Sequence, residues 1–257
     1  MNTLLRWLNV VSLLAVLVVN WLATALPING KTTGQISAMF PVPITPAPYA
    51  FSIWGLIYAL LIVFVIVQFV PRARDAEEIT SIGPWFIVSC FFNISWILLW
   101  QYLYITSSVF AMLGLLLSLA AVYWNTHKQG WSSDPLIRWG VQIPFSIYLG
   151  WITIAAIVNI AVALYAVGWK PFGLSETAWT MLLILIAFLV AVAVGLRFRD
   201  PAYVLVAVWA LIAVGVANKG EAPIVYTAWA AAVLLFIFSI GLIANNRSHN
   251  GKFKLHS

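Results

Sequence analysis

Long apolar runs, separated by short stretches carrying Gly, Pro or charge, repeat along the whole chain. Segments such as LLAVLVVNWLATAL and AVLLFIFSIGLIA are apolar on every side, without the one-sided stripe of a surface helix or the alternation of a half-buried strand. A helical crossing of a bilayer takes roughly 20 apolar residues. The sequence supplies eight such runs: 4–26, 49–70, 83–104, 108–126, 136–166, 176–196, 201–217 and 223–244. A membrane barrel would instead show segments of about ten residues with every second side chain polar. The pattern predicts an all-α integral membrane protein with short loops.

Composition agrees: 63% of residues are hydrophobic, 8% are charged and the mean hydropathy is +1.00, against roughly 25% charged in globular domains. Basic residues near span ends are retained on the cytoplasmic side. With the N-terminus inside, the inner segments hold Arg6, Arg72, Arg74, Lys128, Arg138, Arg197, Arg199, Arg247, Lys252 and Lys254, and the outer ones Lys31, Lys170 and Lys219. This bias predicts both termini in the cytoplasm, an even number of spans and a basic tail, NNRSHNGKFKLHS, at anionic headgroups. The net charge of +6 is then topological and implies no nucleic-acid partner. A bacterial inner membrane fits best, with an organelle membrane as the alternative. Arg6 before an apolar run and ATA at 23–25 also fit a cleaved secretory signal, which would leave an odd number of spans and break the charge pattern. The single cysteine, Cys90, lies within a span, which gives no disulfide framework.

No Asp, Glu, Lys, Arg or His falls in the central part of any predicted span. Ion-coupled transporters and proton pumps usually place an ionisable residue there, and a retinal Schiff base needs a helical lysine. His127, His249 and His256 are expected in a loop and in the tail, so no haem or zinc ligand set forms within the bilayer. No catalytic or metal-ligating residue is assigned, and no covalently bound cofactor is expected. The interior instead carries neutral polar and aromatic groups, among them Asn20, Trp54, Tyr58, Gln68, Asn93, Trp96, Trp100, Gln101, Gln142, Tyr148, Trp151 and Asn159. Trp7, Trp21, Trp85, Trp124, Trp131, Trp169, Trp179 and Trp229 fall near span ends and read as interfacial anchors. Trp54 and Tyr58 share one helix face, as do Asn93 and Trp96, and Trp151 and Ala155 with Asn159 a further turn on. Two readings remain for these groups. One is interhelical packing and hydrogen bonding, about 0.6 kcal/mol per polar contact in membrane helices. The other is a pocket that stacks a flat, largely apolar ligand on indoles and orients it through amide groups.

Three stretches together resemble the translocator protein family, the tryptophan-rich sensory (TspO/MBR) proteins. TPAPYAFSIWGLIY offers Pro46, Trp54, Gly55 and Tyr58, like the proline-rich approach and Trp-Gly-x-x-Tyr core of that family's second span. FFNISWILLWQY places Asn93 and Trp96 as the third span does, and IPFSIYLGWITIAAIVN places Tyr148, Leu149, Gly150, Trp151 and Asn159 as the fifth does. Gly150 stands where the family pattern has Ala, and the proline pair is loosened to Pro46-Ala47-Pro48. The likeness covers about residues 5–169 and implies a five-helix bundle, with three further spans in 170–257 as an extension. The division is placed at KPFGLSE, 170–176, where Pro-Gly punctuation meets a charge change.

The resemblance implies a lipid-accessible cavity among the first, second and fifth spans, with the third in its wall, that takes porphyrins, sterols or other aromatic molecules. By similarity Trp54 and Trp96 are wall residues, Asn93 a hydrogen-bonding group, Trp151 a stacking face and Ala155 the small position that leaves room. Phe51 and Tyr58 lie one turn either side of Trp54, and Tyr148 and Asn159 complete the matched pattern. Loop 27–48 holds five of the twelve prolines, and its Pro41, Pro43, Pro46 and Pro48 would stiffen it as a lid, limiting the entropy cost of closure. The functions implied are a receptor or sensor for a porphyrin or sterol, a passive transporter of tetrapyrroles or similar lipophiles, or porphyrin breakdown using Trp54 or Trp151 as electron source. The Ala-rich seventh and eighth spans allow close packing, either over the core or as a homodimer face.

Overall fold

The computed structural model describes residues 1–170 and 173–253, with side chains described through Asn245. Pro171 and Phe172 of the expected division, the side chains of Arg247, His249 and Lys252, and all of Lys254 and His256 lie outside the described residues. Among those described, every regular element is helical. Six helices are long and apolar enough to cross a membrane: α1 (Thr3–Ala25), α2 (Pro48–Val67), α4 (Ile105–His127), α5 (Pro135–Ala166), α6 (Glu176–Phe198) and α8, apolar over Ala222–Asn245 and continuing to Phe253. Two apolar helices of 17 residues, α3 (Trp85–Gln101) and α7 (Pro201–Ala217), complete the order. At 1.5 Å per residue each is about 26 Å long, near the lower limit for a crossing.

Helix boundaries have local causes. Asn2 accepts from the Leu5 amide to start α1, Ser175 from Ala178 to start α6, and Asp200 from Ala202 and Tyr203 to start α7 behind Pro201, each satisfying amides with no intrahelical partner. The third span is shorter than its apolar run because Leu103 turns to φ 62 and the Tyr104 amide closes back on Leu99. The fourth therefore begins earlier than expected, at Ile105. Near its start α5 opens into a π turn over Arg138–Gln142, which accommodates Pro144 and its missing amide hydrogen. Gln142 then reaches back, donating to the Thr126 and Gly130 carbonyls and accepting from the Ser132 amide.

Contacts at the two ends fix the up-and-down course. At one end Arg6 donates to the Arg74 carbonyl at 3.0 Å, Arg72 pairs with Asp134 at 2.8 Å and Trp131 donates to the Arg199 carbonyl at 3.0 Å. This basic end gathers the start of α1 and the α2–α3, α4–α5 and α6–α7 connections. At the other end Asn29 donates to the Gln101 carbonyl and Asn218 to the Pro43 carbonyl.

The expected placement of His127 in a loop is corrected. It is the last residue of α4 and is buried, stacked on Tyr123 at 4.2 Å and within 3.2 Å of the Ser146 hydroxyl. Tyr123 in turn donates to the buried Asp200 carboxylate at 2.8 Å, tying α4 to the head of α7. Helix α7 also lies against α5 at Gly150, where a Cβ would stand 3.1 Å from Val206 Cβ and 3.2 Å from the Tyr203 carbonyl oxygen. The glycine in the fifth-span motif is thus the place where this close helix contact is made.

Candidate functional site

A cavity of about 1220 Å3 opens beneath the α1–α2 connection. The connection is held in shape by its own short helix, Thr33–Ala38, whose capping box pairs the Thr32 hydroxyl with the Gln35 amide and the Gln35 side chain with the Thr32 amide. It is also fastened at both ends. On one side Trp100 donates to the Thr33 carbonyl, and Gln101 donates to the Thr33 hydroxyl and the Ala23 carbonyl. On the other, the Ala47 amide donates to the Ala213 carbonyl at 3.0 Å, and Asn218 Nδ2 to the Pro43 carbonyl at 2.7 Å. The second fastening comes entirely from α7.

Pro41, Pro43, Pro46 and Pro48 all line the cavity, as do Phe51, Trp54 and Tyr58 of α2 and Trp96 of α3. Trp54 and Tyr58 are stacked at 5.5 Å with 25° between planes, so the i, i+4 spacing produces a continuous aromatic face. Trp54 is braced from behind by edge contacts to Tyr148 at 6.0 Å and Trp151 at 6.5 Å, and Phe51 meets Trp151 at 5.8 Å. Tyr148 and Trp151 are buried behind the lining and take no part in it. The fifth span supports the wall, while the seventh supplies the lining residues Ala217 and Asn218.

Asn93 lies one layer back. It accepts from Asn20 Nδ2 at 2.8 Å and donates to the Tyr148 hydroxyl at 3.0 Å, so its amide bridges α1 to α5. Asn20 is the member of this chain that lines the cavity. With Nδ2 donating also to the Val16 carbonyl, it presents Oδ1 as an acceptor. The Trp96 indole nitrogen and the Thr45 hydroxyl are buried without a partner among the described residues, and both residues line the cavity. Ala155 is half-buried on α5, outside the lining. Asn159 points elsewhere, donating to Ser108 of α4 at 3.0 Å. Asn20 was visible in the sequence as an intramembrane amide. Asn218 and Thr45 carried no motif.

The lining mixes apolar, aromatic and neutral polar groups, and among the described residues no Asp, Glu, Lys, Arg or His takes part in it. Lys31 and Lys219, exposed, adjoin the lining residues Thr32 and Asn218 in the chain. A family model described as TSPO-like protein matches residues 6–241. The chain belongs to the TSPO-like family. The match runs from α1 into α8, so family resemblance extends past the five-span bundle that holds the three motif stretches and through α7. None of the curated proteins or solved structures compared with this TSPO-like chain matches it.

Proposed function

We propose that this membrane protein is a receptor or sensor for a flat, predominantly apolar molecule of the sterol or tetrapyrrole kind, held against Trp54 and Tyr58 under the proline-rich lid. The observation that carries the reading is the stacked aromatic face opening into a cavity that no Asp, Glu, Lys, Arg or His lines among the described residues. Rigid indole and phenol faces favour stacking, and a few fixed polar groups orient the ligand. Here that role falls to the Asn20 amide, whose Oδ1 is the acceptor left over by its two donated bonds. A buried unpaired charge is strongly disfavoured, so a ligand bearing carboxylates leaves them at the mouth, near Lys31 and Lys219. The Asn20–Asn93–Tyr148 bridge runs back from the lining, and ligand passage between α1 and α5 would require its opening; this favours retention over flux. By the positive-inside bias, the basic end faces the cytoplasm and the lid the opposite side, as in a bacterial inner membrane.

The test is photo-crosslinking of the detergent-purified chain with a diazirine-bearing sterol, followed by mapping of labelled peptides. Labels are expected in 40–58 and at 217–218, and to be competed by unlabelled sterol or protoporphyrin. Labelling confined to lipid-facing surfaces, without competition, would reject the reading.

A further inference from the structure

A second concavity, sharing no lining residue with the lid cavity, lies on the outside of the bundle among α2, α5, α7 and α8 and encloses about 830 Å3. Its long wall is apolar, with Leu56 of α2, Ile147 of α5 and Leu205 of α7. Along α7 the lining runs from Pro201 to Trp209, eight residue steps or about 12 Å, close to the depth of one leaflet's hydrocarbon. The far end is closed: Trp209 donates to the Ala50 carbonyl at 3.1 Å and packs edge-on to Tyr49 at 5.2 Å. The near end lies at the basic end of the bundle and carries Trp131, Trp139 and Arg138, the one charged lining residue among those described.

Arg138 is held in place. Its Nε and Nη2 both donate to the Ser132 carbonyl, at 3.0 and 2.6 Å, which fixes the guanidinium plane and leaves Nη1 without a protein partner among the described residues. Asp134, one turn earlier, is engaged by Arg72 and by the Leu136 amide. Among the described residues no carboxylate pairs with Arg138, so an oriented cation stands at the headgroup end of a leaflet-deep apolar slot. Trp139, 64% exposed, sits beside it with the amphipathic ring suited to that level.

We propose that this groove is a binding site for one phospholipid with an anionic headgroup, an acyl chain lying along Leu56, Ile147 and Leu205 and the phosphate meeting Arg138. A zwitterionic lipid fills the same slot but brings its own cation to a site that already holds one. The site is independent of the lid cavity and of the ligand assigned to it.

The experiment is native mass spectrometry of the full chain in detergent, titrated with phosphatidylglycerol and phosphatidylcholine of identical chains. One phosphatidylglycerol is expected to be retained per chain, with about fivefold preference over phosphatidylcholine. Arg138→Gln should abolish the preference and Arg138→Lys should keep most of it. Leu205→Trp, at a partly exposed wall position, should reduce retention of both lipids by filling the slot. Unchanged lid-ligand crosslinking in each variant shows that the fold persists. Equal retention of the two lipids by the parent would overturn the proposal, as would a preference that survives both Arg138→Gln and Leu205→Trp.

Discussion

Asn218, which caps the end of α7, donates from Nδ2 to the carbonyl of Pro43 in the lid at 2.7 Å, across 175 residues of chain. With the Ala47 amide on the Ala213 carbonyl and the Trp209 indole on the Ala50 carbonyl, it makes α7 a post to which the second half of the lid is bonded. The first half is bonded to α3 instead. The two halves can therefore be loosened separately.

Asn218→Ala removes one such bond, and a single hydrogen bond contributes about 1 kcal/mol net. Amide exchange in 42–50 should accelerate by about fivefold when followed by hydrogen–deuterium exchange in detergent. The segment near Thr33, held by Trp100 and Gln101, should keep its protection. Acceleration spread equally over both halves would show that they open as one unit.

The contact at Gly150 predicts a packing cost. A Cβ there would press on Val206 and on the Tyr203 backbone, and overpacking of this kind costs about 1–3 kcal/mol. Gly150→Ala should lower the midpoint of thermal unfolding in detergent. Pairing it with Val206→Ala should recover part of the loss, since Val206 supplies the closest atom. An unaffected midpoint in the single variant would mean that α7 is free to shift.

Outside the bilayer, Glu77 accepts from Gln129 at 2.7 Å and pairs with Lys128 at 3.1 Å. Those two hydrogen bonds, Lys128 first, hold its carboxyl below the usual carboxylate range. A depressed folded-state pKa gives a contribution that is present above the ordinary carboxylate pKa and lost as pH falls through the folded value. Acidification below pH about 4 should thus release the α2–α3 connection from the end of α4, seen as faster proteolysis around 75–82. Glu77→Gln should show the acidic behaviour already at neutral pH. Because the pair is exposed, added salt should reduce the difference.

Much of this arrangement was legible in the residues. Runs of apolar positions set the crossings, and the i, i+4 spacing of Trp54 and Tyr58 fixed a shared face that the structure shows stacked. Spacing alone does not say what a face meets. Tyr148 and Trp151 belong to the same constellation yet form its second layer, because α5 stands behind α2 at that depth. Asn159 follows Trp151 by eight residues, a rotation of about 80° from the same face at 100° per residue, enough to turn it onto Ser108 of α4. Asn218 and Ala217 were silent because their relation to the lid is purely tertiary. His127 reads as a loop residue before Lys128, Gln129 and Gly130, but helix α4 runs one residue past the expected span to include it, and Ser146 receives its ring. Gly150 departs from the family motif in sequence and acquires its reason only from the packing of α7.

Trp54 stands in the wall of the lid cavity, where a bound ligand would meet it. The most direct test of that contact is a titration of the detergent-purified chain with protoporphyrin, following quenching of tryptophan fluorescence in the parent, in Trp54→Phe and in Trp85→Phe, a lipid-facing control. Saturable quenching is expected in the parent and in Trp85→Phe, with affinity about tenfold weaker in Trp54→Phe. Quenching that rises without saturation and identically in all three would show partition into the micelle and contradict binding at Trp54.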